Sequence, residues 1–333
     1  MHPVLMVTAA KVRSGPRRGH GDVAVLALIV AAAAGAAWLL RDPTPRILER
    51  RGALAAAHEE PRERADSHYV QVVRLESTSG LTVSMTIKQH VADSAVRLPL
   101  ALLLGGRNTG QDAVRLLENT RGVLAVALSY PYAGDPRPAG SGVVRAIPHI
   151  RQAFFDTPAA LMLSLDYLLA RPDIDSGQVE AIGVSLGVPF VVIASAMDPR
   201  VTRAWALHGS GGSFTPLEYN LRETIRFAPA RYLAAGLATI AVAGPRMRPE
   251  RWVGNISPRP FIMINAADDD RIPQRAMHSL FRAAREPKEL IELPGGHVRP
   301  AADVVRPLVE IVMSRIIAAS IDGAGHERGT AGS

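Results

Sequence analysis

Apolar runs alternate with mixed stretches along most of the chain after residue 68. Short apolar runs bounded by turn-forming residues are typical of buried strands, whereas longer periodic stretches are typical of helices. The pattern predicts strands at residues 69–75, 81–88, 98–104, 123–128, 179–184, 201–207, 261–265 and 289–293. It predicts helices at residues 158–170, 186–197, 273–285 and 300–321. This alternation predicts an α/β domain with a mostly parallel sheet, helices on both faces and early antiparallel strands at one edge.

The N-terminal region contains one uninterrupted apolar stretch, residues 23–40. About 18 residues at the rise of an α-helix just reach across the hydrocarbon core of a bilayer, so the stretch predicts one N-terminal transmembrane helix. Residues 1–22 are basic, which predicts a cytoplasmic N-terminus and an extracytoplasmic, periplasmic remainder. The small residues 34–36 leave a cleaved signal peptide, and therefore a secreted protein, as the alternative.

The rest of the chain divides by composition into three parts. Residues 41–67 mix arginine, glutamate, proline and alanine, which predicts a stalk that joins the membrane to a domain at residues 68–321. Within that domain, residues 213–257 form a helical insertion at the place where a cap over an active site is expected. The glycine-rich residues 322–333 predict a disordered tail.

The composition is typical of a globular protein and excludes several kinds of functional site. Of 333 residues, 47% are hydrophobic and 21% are charged, so the chain can bury a large core. Cysteine is absent, which excludes disulfides, thiolate metal sites and a cysteine nucleophile. The net charge of +7 comes with scattered arginines and no nucleic-acid-binding motif, so we expect no nucleic-acid partner.

The segment Gly183-Val184-Ser185-Leu186-Gly187 stands between an apolar strand and an apolar helix. A strand that turns abruptly into a helix holds the central serine in a strained conformation, and flanking glycines remove side chains that would collide across the turn. The hydroxyl is then presented above the C-terminal edge of the sheet, at a helix N-terminus. The sequence therefore predicts Ser185 as a nucleophile, with the backbone N–H of Leu186 as a donor to an oxyanion.

A serine nucleophile needs a neutral imidazole as its base. His297 follows the last predicted strand through Pro294-Gly295-Gly296, a turn that brings the imidazole over the sheet edge. It is therefore the predicted base. His208 ends another strand before a glycine-rich turn, where it either lines the pocket or makes structural hydrogen bonds.

The imidazole in turn needs an acceptor that orients it, and the loop after the strand at residues 261–265 offers three. Asp268, Asp269 and Asp270 follow one another there, before a helix that begins near residue 273. One of them is expected to face His297, and spacing alone does not choose among them.

These residues resemble the α/β-hydrolase superfamily, especially dienelactone hydrolases, acetyl xylan esterases and prolyl oligopeptidase-like enzymes, over residues 98–317. Residues 256–273 are similar to a family segment in which the catalytic acid stands four residues before a proline, which implies Asp269. His297-Val298 is similar to the segment that carries the catalytic histidine. The resemblance implies an α/β-hydrolase fold with a Ser-Asp-His triad.

The family also supplies a second oxyanion donor from the turn after the third strand. By position, Gly106 and Arg107 form that turn, and Gly105 stands where the family has a histidine. The resemblance implies a carboxylic ester hydrolase that forms an acyl-enzyme, acts on a small-molecule ester, and needs no metal or organic cofactor.

Tyr130 and Tyr132 end the strand at residues 123–128 on the side of Ser185, so we expect them as pocket walls. Acyl transfer and amide or peptide hydrolysis by the same triad are alternatives within enzymes. Outside enzymes, the alternative is a membrane-tethered protein of the same fold that binds a ligand without turnover. The sequence does not determine the oligomeric state.

Overall fold

The computed structural model describes part of the chain. The described residues are 29–30, 34–35, 37, 41–106, 109–135, 137–138 and 140–330, without the side chains of residues 302, 303 and 322–330. The chain divides into two units, Met1–Arg41 and Asp42–Ser333.

In the first unit, the described residues 29, 30, 34, 35 and 37 are helical. None of the helices found among the described residues has the length and apolar character needed to cross a membrane. The basic segment 1–22 and most of the predicted span 23–40 lie outside the described residues, so the N-terminal anchor stays a prediction.

The second unit contains one sheet, which has ten strands within the described residues. They are β1 (Leu54–Glu59), β2 (Glu63–Ala65), β3 (His68–Ser77), β4 (Thr82–His90), β5 (Leu98–Leu104), β6 (Leu124–Leu128), β7 (Ile174–Val184), β8 (Arg203–Leu207), β9 (Phe261–Ala266) and β10 (Lys288–Leu293). Their order is β1-β3-β4-β6-β5-β7-β8-β9-β10, with β2 beside β3. The neighbours from β6 to β10 pair in parallel, and β1 to β4 form an antiparallel edge. The predicted mostly parallel sheet with antiparallel strands at one edge is confirmed.

Helices cover the two faces of this sheet unequally. They are α1 (Thr44–Arg51), α2 (Gly142–Leu168), α3 (Val188–Met197), α4 (Phe214–Leu221), α5 (Ala228–Ala241), α6 (Gln274–Ala283) and α7 (Ala302–Thr330). The larger core packs α1, α2, α3 and α6 against one face, whereas the smaller core packs α7 and the 3₁₀ turn Gly110–Leu116 against the other. Since side chains alternate along a strand, β5 sends Leu100 and Leu102 to the first core and Ala101 and Leu103 to the second.

The structure differs from the predicted stalk at residues 41–67. There α1 places Ile47 in the larger core, fully buried, and Arg50 pairs with the buried Asp156 of α2 at 2.6 Å. Strands β1 and β2 extend the antiparallel edge by pairing with β3. The local composition is polar because these elements are exposed on their outer side, and only their partners elsewhere in the chain show that they belong to the domain.

Helix bounds also differ from the predictions at two places. Helix α2 begins at Gly142 rather than residue 158 and contains Pro148 and Pro158. Its second half is almost wholly buried, and this packing outweighs the tendency of proline to end a helix. Helix α7 continues to Thr330, through most of the segment predicted as a disordered tail, because extension of a formed helix needs no new nucleus.

The insertion at residues 213–257 is helical, as expected, and contains α4, α5 and two short 3₁₀ turns. Its helices α4 and α5 are tied together by the buried Glu218, which accepts a hydrogen bond from Arg231 at 2.7 Å. Glu250 in the first 3₁₀ turn accepts the N–H of Gly212 at 2.9 Å, which fixes the start of the insertion.

Candidate active site

Ser185 occupies the sharp turn between β7 and α3. Its φ of +52° lies in the left-handed region, where a non-glycine residue is strained. A Cβ at Gly183 would lie 2.7 Å from the Cα of Val188, and one at Gly187 would lie 2.1 Å from the carbonyl oxygen of Leu104. Both separations are too short for real atoms against backbone, so this turn requires glycine on both sides of the serine.

The turn brings Ser185 to the two residues predicted as its partners. Its Oγ lies 2.9 Å from Nε2 of His297, and Nδ1 of the same ring lies 2.8 Å from Oδ2 of Asp269. An ionised carboxylate only accepts hydrogen bonds, so Nδ1 carries the proton and the lone pair of Nε2 faces the serine hydroxyl. This is the tautomer that a general base needs.

Asp269 differs from its two neighbours in its surroundings. Its Oδ1 accepts the backbone N–H groups of Arg271 and Ile272 at 2.9 and 2.8 Å. Burial by itself raises the pKa of Asp269, but hydrogen bonds from the two imidazoles and the two amides outweigh it, and the pKa lies well below its usual range. Asp268 is exposed, and Asp270 accepts the N–H of His297 at 3.3 Å. Of the three carboxylates left open by spacing, only Asp269 faces the imidazole.

His208 lies behind the acid. Its Nδ1 is 3.4 Å from Oδ2 of Asp269 and 3.3 Å from the backbone nitrogen of Val298. The ring also packs edge-to-face against His297, with 5.6 Å between centroids. Of the two predicted roles of His208, the geometry fits structural hydrogen bonding, since it is not among the residues that line the cavity described below.

The loop after β5 runs close to the nucleophile. A Cβ on Gly106 would lie 4.0 Å from that of Ser185. The hydroxyl of Tyr130 donates to the carbonyl of Gly105 at 2.6 Å, and Thr109 donates its N–H and hydroxyl to the carbonyl of Gly106 at 3.2 and 3.0 Å. Burial raises the pKa of the Tyr130 phenol far above its usual value, so it remains a donor at neutral pH. These bonds fix the orientation of both peptide groups.

The predicted oxyanion donors are described only in part. Leu186 directly follows the nucleophile and lines the cavity beside it, and Gly106 lines the same cavity. Arg107 lies outside the described residues.

A cavity of about 420 Å³ opens beside Ser185. Leu103 and Ile182 line it from the sheet, and Leu308 and Val312 line it from α7. The sequence predicted these residues as parts of a strand or helix, but the side of the element that faces the nucleophile depends on how α7 packs.

Other residues predicted as pocket walls lie elsewhere. Tyr130 supports the loop from behind, and the hydroxyl of Tyr132 donates to the carbonyl of Asp135 at 3.0 Å. Neither lines the cavity, and no residue of the insertion 213–257 does so within the described part of the chain. The insertion therefore does not form the expected wall over the nucleophile.

One group of side chains has the composition of a metal site. Donor atoms of His208, Asp269 and His297 lie within 4.8 Å of one another. The same atoms of Asp269 and His297 already join in the hydrogen bond that orients the base. A cation at this place would displace the proton on Nδ1, so the donor set fits a serine–histidine–aspartate relay better than a metal.

The chain has the α/β-hydrolase fold, and the resemblance seen in the sequence is confirmed at the level of the fold. An acetyl xylan esterase from a Paenibacillus species has a TM-score of 0.62 and 16% identity, over 82% of this chain and 91% of that one. Acetyl xylan esterase 1 from a Thermoanaerobacterium species has a TM-score of 0.58 and 12% identity, over 79% of this chain and 88% of that one.

A cold-adapted esterase from an Arctic intertidal metagenomic library has a TM-score of 0.53 and 18% identity, over 79% of this chain and 100% of that one. No protein-family profile matches the sequence, and no curated protein matches it.

Proposed function

We propose that this protein is a serine hydrolase that cleaves a carboxylic ester through an acyl-enzyme. The observation that carries the proposal is the hydrogen-bonded series from Ser185 Oγ to His297 Nε2 and from His297 Nδ1 to Asp269. The strained turn at Ser185 supports it, because such strain is concentrated at functional sites.

The chemistry proceeds in two half-reactions. Ser185 Oγ bonds to the ester carbonyl carbon while its proton passes to Nε2 of His297, and the carbonyl oxygen becomes an oxyanion. The bond to the alcohol oxygen then breaks, and His297 returns the proton to that oxygen. Water next attacks the acyl-enzyme and gives a proton to His297, after which the carboxylic acid leaves and Ser185 regains its proton. Asp269 holds the imidazole and stabilises its charged form.

Backbone N–H groups are the proposed donors to the oxyanion. Leu186 supplies one from the turn that precedes α3, and the turn at Gly106 and Arg107 supplies the other. The bonds that hold the carbonyls of Gly105 and Gly106 support a loop whose amides keep a fixed direction. Loss of one such donor is expected to lower turnover by roughly 10² to 10³.

The similar structures favour ester hydrolysis over the other reactions of this triad. The three described above are esterases by name, and two of them act on acetyl xylan. Amide hydrolysis and acyl transfer use the same residues, so the products formed from an ester, with and without added amines or alcohols, distinguish these alternatives.

The test is labelling of the full chain with a fluorophosphonate, which reacts with an activated serine. We expect the wild type to be labelled and Ser185→Ala and His297→Ala to be unlabelled, with turnover of Ser185→Ala lower by on the order of 10⁴ to 10⁶. Ser129→Ala is a suitable control, because that residue lies outside the triad. A folded wild type that neither reacts nor hydrolyses an ester would favour the non-catalytic binding protein instead.

We also propose that residues 23–40 anchor the protein in a membrane with the hydrolase domain on the extracytoplasmic side. The apolar run and the basic residues before it support this topology. We expect the protein to remain in membranes washed with alkaline carbonate and to be digested by protease added to spheroplasts. Recovery in the alkaline supernatant would contradict the anchor.

A further inference from the structure

The cavity beside Ser185 is apolar over most of its wall. Among the described residues that line it, the polar or charged side chains are Thr109, Ser185, Arg271, His297 and Arg299. The others are aliphatic residues, methionine, glycine and proline. An apolar chamber of this size that ends at a nucleophile fits a hydrocarbon chain rather than a sugar, since a sugar would leave its hydroxyls without partners.

The space exists because one face of the sheet is incompletely covered. The 3₁₀ turn Gly110–Leu116 follows β5 where a longer helix would cover more of the sheet. Helix α7 is the other element of this smaller core, so Leu103 and Ile182 of the sheet and Val309 of α7 all border the space between them. The opposite face, under four helices, forms the larger core.

We propose that this cavity holds the acyl chain of the substrate, so that the enzyme prefers esters of medium-length fatty acids to acetyl esters. The proposal rests on the proposed hydrolase function. We assign the cavity to the acyl group rather than to the alcohol group of the ester. The alcohol departs before deacylation, and water must then reach the position where the alcohol was bound. Arg271 and Arg299 are exposed, so the water-accessible side of the cavity belongs to the departing alcohol, and the apolar part to the chain that remains bound.

Two measurements on the full chain test the acyl assignment. In the series of p-nitrophenyl acetate, butanoate, hexanoate and octanoate, we expect kcat/KM to rise by about fourfold for each methylene until the cavity is filled. Ethyl octanoate and octyl acetate are isomers with the same apolar bulk on opposite sides of the ester. We expect ethyl octanoate to be hydrolysed at least about tenfold faster.

Variants of α7 test whether the preference for longer acyl chains arises in this cavity. Val309 is half-buried and lines the cavity, whereas Val304 on the same helix is 39% exposed and does not line it. We expect Val309→Phe to lower the ratio of octanoate to acetate kcat/KM by about tenfold or more, and Val309→Ala to move the preference to longer chains. Val304→Phe should leave the ratio at its wild-type value. If Val309→Phe does not fold, the shift of Val309→Ala toward longer acyl chains still tests whether the cavity holds the acyl chain.

The outcomes separate the two proposals. Hydrolysis of acetate with a flat or falling series, or faster hydrolysis of octyl acetate, would overturn the acyl cavity and leave the hydrolase intact. A labelling failure together with no turnover of any ester would remove the hydrolase itself. A rising series that Val309→Phe abolishes and Val304→Phe preserves would support the acyl cavity.

Discussion

At the scale of single residues, Tyr130 supports the loop beside the nucleophile from behind. Its hydroxyl donates to the carbonyl of Gly105 and thereby fixes the peptide group next to Gly106. Tyr130 does not line the cavity, so its effect on the reaction passes through the loop. It is therefore a positioning residue.

We expect Tyr130→Phe to lower kcat by about fivefold with little change in KM, because one buried hydrogen bond contributes about 1 kcal/mol. Steady-state kinetics on one ester measures the two constants separately. Tyr132→Phe is the matched control, since the Tyr132 hydroxyl bonds to the exposed Asp135 segment. Equal effects of the two substitutions, or a change in KM alone, would contradict the positioning role.

The three adjacent aspartates make a second residue-scale comparison. We expect Asp269→Asn to lower kcat by on the order of 10⁴, because the amide no longer holds the imidazole in the required tautomer. Asp268→Asn changes an exposed neighbour and should leave kcat within about twofold. Steady-state hydrolysis of one ester measures kcat of the two variants, and a similar loss in both would show that Asp269 is not the orienting acid.

At the scale of elements, Glu218 joins three helices. It is 4% exposed, accepts Nε of Arg231 in α5 at 2.7 Å, and accepts a second guanidinium from Arg275 in α6 at 3.2 Å. Removing a buried partner leaves these charges uncompensated, although Arg275 is largely exposed and contributes less. This carboxylate therefore ties α4 and α5 of the insertion to α6 of the domain.

We expect Glu218→Ala to lower the free energy of unfolding by about 2–3 kcal/mol. Urea unfolding followed by circular dichroism measures it. Glu223→Ala is the control, because Glu223 is exposed shortly after α4 and should change the free energy by less than about 0.5 kcal/mol. An unchanged midpoint in Glu218→Ala would mean that α4 and α5 do not depend on this carboxylate.

At the scale of the whole molecule, the segment before β3 is part of the domain. Ile47 of α1 is fully buried, and Gly52 after that helix has a φ of +56° and packs so closely that a Cβ would lie 2.5 Å from Ser77 Oγ. The helix, the glycine and the strand β1 that follows form one edge of the larger core.

We expect Ile47→Ala to lower the free energy of unfolding by about 2–5 kcal/mol, because a fully buried side chain leaves a cavity. Leu48→Ala, at a position 47% exposed, is the control and should have a much smaller effect. A chain that begins at Asp42 should unfold cooperatively, whereas one that begins at His68 should be markedly less stable. Equal stability of the two chains would return residues 42–67 to the role of a stalk.

The sequence by itself determined the local features of this protein. The apolar runs predicted the central strands, and the glycines around Ser185 and before His297 predicted the turns that bring these residues together, because strain and strand patterning are set by near neighbours along the chain. A family resemblance was needed to select Asp269, since three identical carboxylates have the same local sequence signal.

Only the tertiary structure decided the features that depend on distant partners. Burial of α1 is invisible in the local sequence because its partner Asp156 stands far along the chain. Strands β1 and β2 are exposed at most positions and lack the apolar alternation of a half-buried strand, so their pairing with β3 appears only in the structure. The place of Tyr130 behind the loop and the apolar space between β5, β7 and α7 depend on how whole elements pack. Periodicity shows that an element is amphipathic, but the packing of the other elements decides which surface its apolar side meets.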